Sequence, residues 1–291
     1  MPDRLVRGLL PSRGLRVVHV RVTETAQAAR ALHGLYPTSA HLFAQSLAGG
    51  LLVSTLHKER SRVNLQLECD GPARGLFVDA RPDGTVRGYI RAPHVHFPGD
   101  PTAGARAALG GSGFLSIMHD LGDGNFYRGQ VELRALDVPA DLGRYFAESE
   151  QIATAVDIAV VPNEGEPLGE VSGLIVQRLP GGDEVALETA RAQLATGILW
   201  SAGSGARGAI ASIAGDDFEL LAELEVAYRC GCSVERARAA VSALGRGGIL
   251  DVLAKEGEAT VTCEFCHRRY LVTESELRAM VHRFGSDDDF S

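Results

Sequence analysis

The sequence predicts an α+β protein with an antiparallel sheet domain and helices at its N-terminal end, a helical connector, and a small C-terminal domain built round four cysteines. Three observations carry that expectation. Short alternating apolar runs with tight-turn signals fill Val63 to Val131, a Pro-Gly-Gly-Asp breaker at 180–183 precedes text of helical spacing, and four of five cysteines fall between Cys230 and Cys266.

Taken in order, Arg16 to Val22 reads RVVHVRV, alternating and β-branched, and predicts a strand. Helix-like text follows at Thr25 to Leu35, and a longer apolar-periodic stretch at Thr38 to His57. Gly49-Gly50 inside that stretch reads as a point of close packing. The runs VNLQLEC, GLFVDA, TVRGYI, GFLSIM and NFYRGQVEL are then separated by Asp70-Gly71, Asp83-Gly84 and Asp123-Gly124. Such dipeptides favour the left-handed backbone of hairpin turns, so these runs read as antiparallel strands. Asp141 to Ala153 has helical spacing, and VDIAVV and VSGLIVQRL close a first domain at residue 179.

Residues 180–228 read as a helical connector of marginal stability: Glu184 to Trp200 has apolar residues at helical spacing, Ser201 to Gly208 is a run of small residues, and Asp216 to Tyr228 resumes as an acidic apolar stretch. A third domain spans 229–285. In it Ser233 caps a helix that Gly245 stops, Gly248 to Lys255 forms a second short helix, and Thr260 to Cys263 is extended. Thr273-Glu-Ser-Glu276 is a capping box opening a last helix to Arg283. Residues 286–291 form an acidic tail.

Composition narrows the function. The chain has 291 residues, 45% apolar and 23% charged, which is globular usage. Its net charge of −8 disfavours a general binder of phosphate backbones. No apolar run approaches the ~18 residues of a membrane helix, and the start lacks a secretory leader pattern, so a cytoplasmic location without membrane contact is expected.

Cysteines in such a compartment point to metal or redox chemistry rather than to a disulfide framework. Cys69 lies alone in an alternating run and reads as a structural thiol. Cys230-Gly-Cys232 and Cys263-Glu-Phe-Cys266 form two close pairs separated by 30 residues. Four thiolates suit one tetrahedral zinc ion with no open position for a substrate water, hence a structural and not a hydrolytic centre. His267 beside the last cysteine is a competing donor. A module this small has little core, so the ~10–16 kcal/mol of a structural zinc would be most of its folding free energy. Arg229, Arg236, Arg238, His267, Arg268 and Arg269 lie close in sequence to the ligands; they either hold the sulfurs as oxidisable thiolates or form a solvated face balancing nearby Glu residues. Forming two disulfides would remove all four ligands together, and from spacing alone three pairings are open.

The pattern Cys230-x-Cys232-Ser233-x-Glu235-Arg236, the long spacer, and Cys263-x-Phe265-Cys266 followed by Tyr270 resembles the 33 kDa heat-shock protein family, also called the 33 kDa chaperonins. Val86-Arg-Gly-Tyr89, Tyr127-x-Gly129, Tyr145 to Gln151 with Thr154, and Gly173 to Pro180 are similar to stretches of the same family, so the likeness covers nearly the whole chain. The connector with its small-residue run and the Gly245-Arg-Gly-Gly248 break depart from the family pattern, and the four cysteines do not. What the resemblance implies is a zinc-binding, redox-regulated holdase that is not an enzyme and works without ATP. Its reduced, zinc-bound form is an inactive monomer. Oxidation pairs Cys230 with Cys232 and Cys263 with Cys266, releases zinc, unfolds the module and connector, and gives a homodimer that holds unfolding client proteins.

Two other classes compete. A zinc-ribbon nucleic-acid-binding or scaffold protein would use the cysteines only as a frame, against the acidic charge. A thiol-disulfide enzyme would use Cys263-Glu-Phe-Cys266 at a helix start in a βαβ unit, whereas here a second pair lies nearby. Gly-x-Ser-x-Gly, phosphate-loop and His-Glu-x-x-His motifs are absent. His94-Val-His96 and His119-Asp120 read as ordinary strand histidines rather than a second metal site.

Overall fold

The computed structural model describes residues 1–56, 62–122, 124–198 and 205–287. His57, Asp123, Trp200, Ser201 to Ser204 and the tail from residue 288, all used in the sequence reading, lie outside the described residues. The chain forms two compact units, Met1–Arg229 and Cys230–Ser291.

The first unit opens with β1 (Arg4–Leu10), a single 3₁₀ turn at Pro11–Arg13, and β2 (Leu15–Arg21). Two helices follow, α1 (Thr23–His33) and α2 (Pro37–Ser54). Every residue of α2 from Thr38 to Ser54 is buried, which is why its apolar text runs all round the helix rather than along one stripe. The Gly49-Gly50 pair is a contact point as expected, since a Cβ on Gly50 would sit 2.7 Å from Cγ1 of Val78. Next come β3 (Arg62–Cys69), β4 (Leu76–Ala80), β5 (Thr85–Ile90), α3 (Pro101–Leu109), β6 (Gly113–Asp120) and β7 (Phe126–Glu132). Then α4 (Val138–Tyr145) runs into a π-helical turn at Phe146–Glu150, followed by the long hairpin of β8 (Thr154–Asn163) and β9 (Glu166–Arg178). The unit ends with α5 (Glu184–Ala195), α6 (Gly205–Ala214), β10 (Glu219–Glu225) and β11 (Ala227–Tyr228).

Two sheets result. One has the order β10-β1-β2-β9-β8 and is antiparallel throughout. The other has the order β11-β5-β4-β3-β6-β7, with only β11 parallel to its neighbour. A single apolar cluster joins α2 (Leu47, Leu51) to Val18 and Val20 of the first sheet and Leu65 and Val78 of the second. Side chains alternate across a strand, so Leu15 and Val17 face the other way. There, with Leu174 and Val176, they are covered by Leu187 and Leu194 of α5 and Ile210 and Ile213 of α6. Arg13 holds the end of α6 through bonds from its guanidinium to the carbonyls of Ile213 (2.7 Å) and Ala214 (3.1 Å), a cation at a helix C-terminus.

The sequence expectation of mixed helices and antiparallel sheet stands. Several elements differ. Asp216 to Tyr228 is not a resumed helix: Glu219–Glu225 pairs with β1, and Arg4 forms ion pairs with both Glu223 and Glu225 across that register. Its Leu, Ala and Glu residues are good helix formers, and an unpaired edge of β1 overrides that weak preference. The strand β1 and the helix α3 were not expected, because Arg and Gly interrupt the alternation of the first and Gly and small residues dilute the second. The helix expected to reach Ala153 stops at residue 150. Gln151 adopts a left-handed conformation (φ 57°), and Glu150 accepts hydrogen bonds from Tyr145 (2.6 Å) and Tyr127.

The second unit contains α7 (Val234–Ser242), α8 (Gly245–Lys255), the hairpin β12 (Ala259–Thr262) and β13 (Arg269–Val272), and α9 (Glu274–Asp287). Gly245, with φ 70°, separates α7 from α8, and α8 starts there rather than at Gly248. Among the described residues, the buried apolar residues of this unit are Ala237, Val241, Ile249, Ala259, Val272, Leu277 and Met280, all but Ala237 forming one cluster. Among the described residues no helix is long and apolar enough to cross a membrane.

Candidate metal centre

Cys230 and Cys232 lie in the loop immediately before α7, where Ser233 accepts a hydrogen bond from the Arg236 amide at 3.4 Å and starts the helix. Cys263 and Cys266 lie in the turn of the β12–β13 hairpin, whose last pair is Thr262 with Arg269. That turn is closed by the Cys263 amide donating to Arg268 O (3.0 Å) and the His267 amide to Cys263 O (2.8 Å). His267 takes a left-handed conformation (φ 54°) to make the bend. The turn aims backbone amides at sulfur: those of Phe265 and Cys266 at Cys263, and that of Arg268 at Cys266.

The four Sγ atoms lie within 4.8 Å of one another, with Cys230 to Cys263 at 3.6 Å and Cys232 to Cys266 at 3.3 Å. A tetrahedron of sulfurs about 2.3 Å from a central zinc has edges of about 3.8 Å, so the cluster has the dimensions of such a site. Its donor set, four sulfurs, suits zinc or iron rather than a hard cation. The cluster of potential donor atoms consists of the four cysteines and does not include His267.

The electrostatics agree with a site made for a cation. Burial pushes the Cys232 thiol up, but the Tyr270 hydroxyl, donating at 3.1 Å, and the neighbouring thiols outweigh this and bring it down to about 7. Cys266 is driven up to about 12 by burial and by the sulfurs around it. Burial likewise raises Cys263. Four thiols this close resist becoming four thiolates together unless positive charge sits among them.

Of the basic residues near the ligands in sequence, Arg268 interacts with Tyr270 and lies in the field of Cys232 and Cys266. Arg238 instead binds Glu276 through its Nε at 2.8 Å, so for that residue the reading as charge balance is correct. Glu276 also completes the capping box expected from sequence, accepting from the Thr273 amide at 2.8 Å while its own amide reaches Thr273 Oγ1 at 3.5 Å. Tyr270 was legible only as part of a motif. Its role needs the hairpin, which sets β13 beside the first cysteine pair. Removing that hydroxyl in Tyr270→Phe is expected to weaken metal affinity about 10–100-fold, the usual effect of losing a group that orients a ligand. Competition with a chromophoric chelator measures this, and unchanged affinity would leave Tyr270 without a role at the centre.

Cys69 lies at the end of β3 in the other unit, half-buried, its thiol pushed up by burial and outside the cluster. His119 is buried in β6, stacked on Tyr127 and 3.4 Å from Glu150, and belongs to no metal-ligand group among the described residues.

The chain matches the family model described as Hsp33 protein over residues 3–273. It is 34% identical to the 33 kDa chaperonin of Gloeobacter violaceus, covering 100% of this chain and 99% of that one. It is 35% identical to the 33 kDa chaperonin of Picosynechococcus, covering 99% of each. The crystal structure of the 33 kDa chaperonin (heat shock protein 33 homolog) of Thermotoga maritima superposes with a TM-score of 0.86 at 27% identity, over 99% of this chain and 100% of that chain. A family match across both units, and relatives aligned from end to end, mean that this chain belongs to the Hsp33 family of chaperones.

Proposed function

We propose that the protein is a redox-regulated, ATP-independent holdase whose resting form is reduced, monomeric and bound to one zinc ion through Cys230, Cys232, Cys263 and Cys266. The observation that carries the reading is the pairing of a four-sulfur cluster with a unit whose apolar core cluster, among the described residues, has six buried members. The loop before α7 and the β12–β13 turn would hold the ion through their two cysteines each, and it would serve there as a cross-link between them. Such a unit cannot offset its chain entropy by apolar burial alone.

On this reading oxidation acts on the sulfurs. A thiolate attacks a peroxide oxygen to give a sulfenic acid and water, and its partner thiol displaces a second water to close the disulfide. Each bond takes two electrons from a thiol pair, so two equivalents of peroxide form Cys230–Cys232 and Cys263–Cys266. All four donors are consumed and the unit loses its cross-link. The connector, whose α5 and α6 cover an apolar face of the first sheet, then opens, and Leu15, Val17, Leu174 and Val176 become available to unfolding client chains. A homodimer forms in the oxidised state. A cytoplasmic setting and an absence of nucleic-acid binding belong to the same reading.

One sample followed before and after peroxide tests it. Zinc release, loss of four thiols and suppression of client aggregation are expected to rise together and to reverse with a dithiol reductant. Zinc release without any gain in client holding would sink the proposal and leave the centre purely structural.

A further inference from the structure

The connector ends by adding a strand to the first sheet, and that strand is held loosely over a well-shaped edge. β10 lies along the outer side of β1, from Arg4 opposite Glu225 to Leu9 opposite Glu219. The other side of β1 pairs with β2, so without β10 the strand β1 is the end of its sheet. Backbone pairing does most of the holding. Leu224 packs against the core, but Leu220 and Leu221 are each 53% exposed. The ion pairs of Arg4 with Glu223 and Glu225 lie at the surface, where such pairs contribute little. Main-chain pairing supplies affinity without reading sequence, so another extended segment can make the same bonds.

Two features of the edge select among such segments. Gly8 in β1 leaves a slot that the Phe218 ring fills, since a Cβ on Gly8 would collide with that ring, 2.6 Å from its Cζ. There Phe218 packs against the apolar cluster covered by α5 and α6. The second feature is a place for a carboxylate at each end. Asp217 accepts from the Ser12 amide at 3.2 Å, and Glu225 lies 3.0 Å from the Arg4 guanidinium. Register and alternation put Gly8 beside Val17, and Leu10 beside Leu15, on the face of the sheet that the connector helices cover. Edge and apolar face are thus continuous.

We propose that the outer edge of β1 is a strand-accepting site for client chains, and that β10 is its resting occupant. The client segment that fits is extended, with an aromatic side chain in the Gly8 slot and acidic side chains toward Ser12 and Arg4. The inference rests on the holdase reading, in which oxidation opens the connector. β10 runs between α6 and Cys230 and leaves the edge with them. An unfolding protein presents extended segments with unpaired backbone, which a bare strand edge pairs with readily.

The test uses the full chain, either reduced and zinc-loaded or oxidised with peroxide, and a fluorescent peptide of residues 216–226 as the probe. Oxidised protein is expected to bind a single peptide per chain and reduced protein none. Bound peptide should slow hydrogen exchange of the β1 amides and compete with a heat-unfolded client. The same peptide N-methylated from Glu219 to Glu225 should not bind, because it cannot donate to the edge. Gly8→Val should weaken binding about tenfold by closing the aromatic slot. Arg4→Glu, at a surface position safe for folding, should weaken it about fivefold, and a peptide carrying Glu223→Lys and Glu225→Lys should restore it. Oxidised protein that holds client but binds no peptide would overturn the site and leave the holdase reading intact, as would peptide binding indifferent to N-methylation and to both variants. Protection of the β1 amides that appears without peptide, and only where the oxidised protein dimerises, would give the edge to a second copy and overturn its assignment to clients. Peptide binding without any client holding would overturn the assignment together with the holdase reading.

Discussion

Cys232→Ser is expected to abolish stoichiometric zinc binding and to unfold Cys230–Ser291 while Met1–Arg229 stays folded. A structural zinc contributes about 10–16 kcal/mol to a small module, and losing one of four thiolates removes most of it. What remains is the packing of Val241, Ile249, Ala259, Val272, Leu277 and Met280, too few residues to order about sixty. Backbone NMR should show α7, α8, α9 and the β12–β13 hairpin collapsing to unfolded shifts, with the sheets of the larger unit unmoved. Ser in place of Cys230, Cys263 or Cys266 should do the same, because the centre has no spare donor. Cys69→Ser should leave zinc content and both units intact, since that thiol packs against the larger core. Full zinc occupancy in all four ligand variants would refute the assignment.

Ile213→Asp should make the reduced, zinc-loaded protein hold client without any oxidant. Ile213 is 4% exposed and lies in the apolar cluster between α6 and the first sheet. A carboxylate there must be buried uncompensated, at a cost of several kcal/mol, or stay protonated. Undocking of α6 relieves the cost, because the helix is otherwise held by a modest apolar patch and by Arg13 at its end. Aggregation of a heat-unfolded client, measured with reductant present, should be suppressed at ratios where the parent protein does nothing, with zinc content unchanged. Ile213→Val, costing about 0.5–1.5 kcal/mol, should not activate. An undocked α6, seen as fast hydrogen exchange, with no gain in client holding would mean that clients bind elsewhere.

The strands of the larger unit were legible where apolar alternation and Asp-Gly turns coincide, as in TVRGYI, which is β5 (Thr85–Ile90) residue for residue. Legibility failed where local text was ambiguous. Glu219 to Glu225 spells a helix and forms a strand, because what decides it is the bare edge of β1 and the Arg4 side chain, more than two hundred residues away in sequence. The four-cysteine cluster was readable because thiol chemistry leaves few other uses for two close cysteine pairs. Tyr270 was readable only as part of a family motif and Arg268 only as one of six nearby basic residues, since a phenol and an arginine suit any surface until a hairpin sets them beside sulfur.

Residue chemistry and short-range spacing thus determined the α+β class, the four sulfur donors and the family to which the chain is similar. These depend on periods of two or about four residues and on side-chain type, all present in one stretch of chain. Tertiary structure alone decided that the connector ends as a strand of the first sheet and that its helices cover an apolar face. Each of those outcomes is a contact between residues far apart in the chain, whose free energy comes from burial and pairing that no local pattern encodes.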